Sequence, residues 1–155
     1  MKHNIKITSA ILCEEVRVEK NNKYMILGVY AADILVSDIP AQTPLCFYVE
    51  FKSPQQEGDM FFRFSGPGKG VAKLKVHYKK SGVAGADSVA IAAPRMEVVL
   101  EQEGVFKLDW SEDGKSWKSL LSRRVIKSPD AINLSPIGPL QHFVRSQSDG
   151  PHQPS

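Results

Sequence analysis

Leu45-Cys46-Phe47-Tyr48-Val49-Glu50-Phe51-Lys52 sets Leu45, Phe47, Val49 and Phe51 on one side of an extended chain. Cys46, Tyr48, Glu50 and Lys52 fall on the other side, so the stretch reads as a half-buried β-strand. The same period of two recurs downstream. Met60, Phe62 and Phe64 alternate with Phe61, Arg63 and Ser65; Ala72, Leu74, Val76 and Tyr78 alternate with Lys73, Lys75, His77 and Lys79. Met96, Val98 and Leu100 alternate with Arg95, Glu97, Val99 and Glu101; Phe106, Leu108 and Trp110 alternate with Lys107, Asp109 and Ser111. Turn-forming clusters bound these runs at Lys20-Asn21-Asn22-Lys23, Gln56-Glu57-Gly58, Gly66-Pro67-Gly68, Glu103-Gly104 and Asp113-Gly114. No segment before residue 128 sustains the spacing of an amphipathic helix. The expected fold is all-β: an antiparallel β-sandwich of seven to nine strands, immunoglobulin-like or jelly-roll-like, with a small barrel as the alternative. Parity predicts Leu74, Val76, Phe106, Leu108 and Trp110 inside, and Lys73, Lys75, Lys107 and Asp109 outside.

The first strand spans about Ile7 to Glu19. Glu14 interrupts its apolar series, so a bulge or strand end is expected there. Tyr24-Met25-Ile26-Leu27-Gly28-Val29-Tyr30 is apolar on both faces. That pattern suits a central strand covered on both sides, or a strand with one face turned to a partner. Core burial is the commoner reason for it.

The opening third resembles a known family. Ala10-Ile11-Leu12-Cys13-Glu14-Glu15-Val16-Arg17, then Asn22-Lys23, then Ile26-Leu27-Gly28-Val29-Tyr30, then Ile39-Pro40 is similar to the start of a family of small bacterial and phage proteins known as a domain of unknown function. The shared features are an apolar-Cys-acidic first strand and an apolar-apolar-Gly-Val-aromatic second strand. Gly104-Val105-Phe106 and Asp113-Gly114 suit that family's final hairpin. The resemblance implies a soluble β-rich fold and no particular activity. The stretch after Lys127 is not required by the family pattern.

The chain has 155 residues and a formal net charge of +3. It is long enough to bury a core without disulfides or a structural metal. Its charge bias is too weak to argue for nucleic acid. Five of its ten prolines follow Lys127, and the last ten residues are polar. The composition shift divides the chain into a β domain at 1–127 and a Pro/Ser-rich tail at 128–155, expected to be disordered. No run is long and apolar enough to cross a bilayer. The basic N-terminus is followed by too short an apolar stretch for a signal peptide, and Ala10-Ile11-Leu12-Cys13 lacks the small residue a lipoprotein box needs before its cysteine. Cys13 and Cys46 sit in apolar runs, where reduced thiols act as small core residues. A cytoplasmic location is expected.

Motifs that carry chemistry are few. Ser65-Gly66-Pro67-Gly68-Lys69-Gly70 lacks the spacing and the following helix of a phosphate loop, and reads as a turn between strands. Ser111-Glu112-Asp113-Gly114-Lys115-Ser116-Trp117 resembles an Asp-box hairpin with one residue fewer, a structural turn. Lys69, Lys73, Lys75, His77 and Lys79 form a basic row able to meet phosphates. A single-strand binder would add aromatic residues to that face, whereas Tyr78 points the other way. Lysines on such a face commonly serve as solvated protection against aggregation. His77 sits among lysines, which argues against a partnered base. No nucleophile elbow and no zinc spacing occurs, so neither catalytic residues nor metal ligands nor a cofactor are expected. Asp33, within an apolar run, reads as a strand-end residue. In the tail, Ile132-Asn133-Leu134 and Leu140-Gln141-His142-Phe143-Val144 are apolar islands. Leu140, His142, Phe143 and Val144 are candidate partner contacts. Together these features suggest a non-enzymatic module with a protein partner. Weak binding of an anionic ligand or nucleic acid by the lysine row is the alternative, and no membrane association is expected.

Overall fold

The computed structural model describes residues 5–21, 23–52, 57–68, 70–79 and 88–129, with residue 71 described by its backbone alone. These residues form ten strands: β1 (Ile7–Val18), β2 (Tyr24–Val29), β3 (Ile34–Val36), β4 (Ala41–Lys52), β5 (Gly58–Ser65), β6 (Val71–Tyr78), β7 (Ser88–Ala92), β8 (Met96–Leu100), β9 (Gly104–Ser111) and β10 (Lys118–Lys127). No α-helix occurs among the described residues. The count exceeds the expected seven to nine for two reasons. β3 is only three residues long, too short to show a period. The partner of β4 is split at Ala93-Pro94-Arg95 into β7 and β8, where proline cannot donate to the ladder.

Sheet one runs β2-β1-β4-β7, with β8 also on β4; sheet two runs β3-β10-β9-β5-β6. Pairing is antiparallel except that β3 lies parallel to β10, so sheet two is mixed rather than wholly antiparallel. The sheets share one core. Phe47 of β4 meets Phe62 and Phe64 of β5 at centroid distances of 4.6 and 5.4 Å. Phe51 meets Tyr78 of β6 at 5.6 Å. Such tilted and edge contacts suit aromatic quadrupoles. A side-chain link also joins the sheets, as Arg123 Nε donates to the Tyr30 carbonyl at 2.7 Å.

β1 changes partner along its length. Ile7 to Cys13 pairs with β4, while Cys13 to Val18 pairs with β2. Glu14 thus marks the point where β1 leaves β4, and the bulge lies instead between Ile7 and Ser9. A straight strand would hold Ile11 and Val18 more than about 20 Å apart. Yet Tyr24, opposite Val18, stacks edge-on to Tyr48, opposite Ile11, at 5.3 Å. The β1–β2 hairpin therefore curls back over the outer face of β4. This cover explains why neighbours of opposite parity, Leu12 with Cys13 and Cys46 with Phe47, are all fully buried.

Phe106, Leu108 and Trp110 are buried as parity predicts, and Lys73, Lys75 and Lys107 are exposed. Leu74 and Val76 are only half-buried, because β6 borders its sheet. Asp109 contradicts the pattern: it is buried. Its carboxylate accepts from Arg63 Nη2 at 2.7 Å and Nε at 3.2 Å, which compensates the desolvated charge.

Candidate functional site

The outer face of sheet two gathers most of the residues singled out as a basic row. β5 and β6 pair with Arg63 opposite Lys73, Phe61 opposite Lys75 and Asp59 opposite His77. Lys73, Lys75, His77 and Lys79 are exposed, whereas Lys69 lies outside the described residues. Two of its four described members, Lys75 and His77, share one carboxylate across the strands. Lys75 Nζ stands 2.9 Å from one Asp59 oxygen, and His77 Nδ1 stands 3.1 Å from the other. The Lys75 ammonium and then the His77 ring hold the Asp59 carboxyl below its usual range. Arg63 is committed to Asp109 in the same way. These carboxylates weaken the field the face offers to a phosphate backbone.

The same face holds aromatic residues that parity within β6 does not reveal. The Arg63 guanidinium lies 4.4 Å from the Trp117 ring centre, and Lys73 Nζ lies 5.9 Å from it. Lys75 Nζ stands 5.8 Å from the Phe61 ring. Trp117 arrives there because the β9–β10 hairpin folds over the face. Asp113 builds that hairpin: Oδ1 accepts the N–H groups of Ser116 at 2.7 Å and Lys115 at 2.8 Å. The Ser111 hydroxyl adds a third bond to the same oxygen at 2.8 Å. These donors push the Asp113 carboxyl far below its ordinary range. Gly114 has φ +70°, a conformation that suits glycine, and lies beside the Phe61 ring. Asp59, Phe61, Arg63 and Trp117 were thus not singled out in the sequence. The signal for the first three was the parity of β5 carried through the Gly66-Pro67-Gly68 turn.

A second surface lies on sheet one. Among the described residues β2 forms its border, which corrects the expectation of a core strand. Ile26 and Leu27 are half-buried, but Met25 is 41% exposed and Val29 53%. Val18, on β1 beside Tyr24, is 63% exposed. β2 contains no charged residue and no proline. A cavity of about 310 Å³ forms a third feature, lined chiefly by Phe64, Pro67, Ala72, Met96, Val98 and Phe106. At the end of β10, the Arg124 guanidinium pairs with Asp33 at 2.7 and 3.0 Å and lowers its carboxyl pKa.

Among the described residues, no group of three His, Cys, Asp or Glu side chains could hold a metal ion. No helix there is long and apolar enough to cross a membrane. Leu140, His142, Phe143 and Val144 lie outside the described residues, as does the rest of 130–155. A scan against family models finds no match for this chain, and a search of curated proteins finds none.

Proposed function

We propose that the chain is a non-enzymatic protein-interaction module, built on a β-sandwich and docking through the β2 border of sheet one. The observation that carries this reading is the uncharged, apolar and exposed β2 edge. A border strand offers unpaired N–H and C=O groups, and natural sheets usually guard such strands with charge or proline. An extended segment of a partner can add itself there, with main-chain bonds supplying affinity and apolar side chains specificity. A cytoplasmic setting suits the two free thiols.

The test is comparative capture. Met25→Lys with Val29→Lys is expected to lose the partners that the unaltered chain retains. Lys73→Ser with Lys75→Ser is expected to keep them. Equal capture by both variants would remove β2 from the reading.

A second reading has its own observation. Trp117 and Phe61 lie among the cations of the sheet-two face, the combination single-stranded nucleic acid favours. It requires salt-dependent binding of a labelled single strand that Trp117→Ala abolishes. The neutralising Asp59 and Asp109 make it the weaker of the two.

A further inference from the structure

Cys13 and Cys46 are the only cysteines of the chain and lie 33 positions apart. The fold sets them directly opposite one another on β1 and β4. Partners in an antiparallel pair share a face, and their Cα atoms stand about 4.5–5.5 Å apart. A disulfide bridges Cα separations of about 4.4–6.8 Å. Both thiols are reduced and fully buried. The Cys13 Sγ–H points at the Cys46 carbonyl at 3.6 Å, and the Cys46 Sγ–H donates to the Ala93 carbonyl at 2.9 Å.

We infer that Cys13 and Cys46 form a redox-modified pair, closing to an intrachain cross-strand disulfide when a low-molecular-weight disulfide oxidises them. The place of the pair in the fold gives this chemistry a route and a consequence. Cys13 is the residue at which β1 exchanges β4 for β2. Cys46 holds the carbonyl of Ala93, in the break between β7 and β8. Local opening of the hairpin at this junction is the way an oxidant reaches sulfurs that the closed structure covers. Burial pushes the Cys13 thiol up to about 12, with the neighbouring Cys46 sulfur adding to the shift. The closed form is therefore slow to react, and the open form sets the rate.

In the first step one cysteine loses its proton and its thiolate attacks a sulfur of the small disulfide. A mixed disulfide forms and one small thiolate leaves. In the second step the other cysteine, deprotonated in turn, attacks the protein sulfur of that mixed disulfide and expels the second small thiolate. Both cysteines are oxidised, the small disulfide is reduced to two thiols, and the two protons pass to the departing thiolates. The bond staples the base of the β1–β2 hairpin to β4 and removes the Cys46 donor from Ala93.

The probe is oxidised glutathione added to the native, full-length chain, followed by denaturation, alkylation and mass analysis. The expected product is a monomer lighter by two hydrogens, with neither cysteine alkylated and the Cys13 and Cys46 peptides linked. It should melt at a higher temperature than the reduced chain and revert on treatment with a phosphine. Cys13→Ser should stop at the glutathione adduct of Cys46. A stable glutathione adduct on the unaltered chain, a disulfide between two chains, or two alkylatable thiols after exposure would each overturn the inference. What the staple does to partner binding rests on β2 being the docking edge. The linked peptide does not, so each idea can fail without the other.

Discussion

β6 ends sheet two with Lys73, Lys75 and His77 along its outer face, whereas β2 ends sheet one with no charge between Tyr24 and Val29. Both are border strands and face the same hazard of pairing with another chain. On β6 Lys75 and His77 are held by Asp59, and Lys73 lies opposite Arg63 and near Trp117. That edge is costly to approach, because an incoming strand must displace ordered ion pairs and desolvate ammonium groups. On β2 an incoming strand meets the strand's own apolar side chains, with the Glu14 side chain lying against Gly28. The contrast separates a border strand that carries charge from one that carries none.

The largest expected effect strikes what the two borders share. Phe47 touches both Phe62 and Phe64 across the core. Phe47→Ala should cost about 3–5 kcal/mol in urea unfolding and loosen both edges together. A loss confined to one sheet would show that the two do not melt as a unit.

Next comes pH. Cys13 and Cys46 have thiol pKa values raised by burial, Cys13 from 9.0 to about 12. The unfolded chain therefore loses these protons first. The stability they confer is complete below pH 9 and falls as pH climbs from 9 towards 12, by on the order of a few kcal/mol. Tyr30, Tyr48 and Tyr78 are raised by burial too and act in the same direction. Cys13→Ala should flatten this alkaline loss relative to the unaltered chain; an unchanged slope would place its origin elsewhere.

A smaller effect belongs to sheet two alone. Asp109→Ala strands the Arg63 guanidinium and should lower stability by roughly 1.5–3 kcal/mol in thermal or urea melts. A cost near zero would mean that the ion pair only fills space beneath Trp117. The smallest effects sharpen the contrast itself. Val29→Lys on β2 and Lys73→Ser on β6 should each shift stability by less than about 0.5 kcal/mol, because both side chains face water. Only the β2 change should alter partner capture. If Val29→Lys destabilised the isolated chain strongly, β2 would be an internal contact rather than a docking edge.

Much of sheet two was legible because its strands obey one local rule. Phe106, Leu108 and Trp110 went inside by parity, and the Asp113 turn formed where Asp-Gly placed it. Asp109 was misread because parity reports the side of a strand, not what later covers that side. Its cover comes from Arg63 and the Trp117 hairpin. β2 was misread for a related reason: apolar residues on both faces describe a composition, and a composition does not distinguish a central strand from an exposed border. The Cys13–Cys46 pair needed the register of two strands far apart in the chain, which no local pattern encodes. The basic row was visible as a row, but the pairing of Lys75 and His77 appeared only with Asp59 opposite His77.

Among the described residues β3 pairs only with β10, and Arg124 reaches Asp33 across 91 residues of chain. A protein is made from its N-terminal end, so Ile34 and Val36 exist long before the strand that buries them. During that interval the β1–β4 ladder can assemble, yet its neighbour waits with two core side chains uncovered. Contacts of such long range are entropically slow to close, and exposed strands awaiting partners are where nascent chains go astray. The three residues of β3 therefore make completion of the fold depend on synthesis reaching Val125 to Lys127. The brevity of β3 limits how much apolar surface is left waiting.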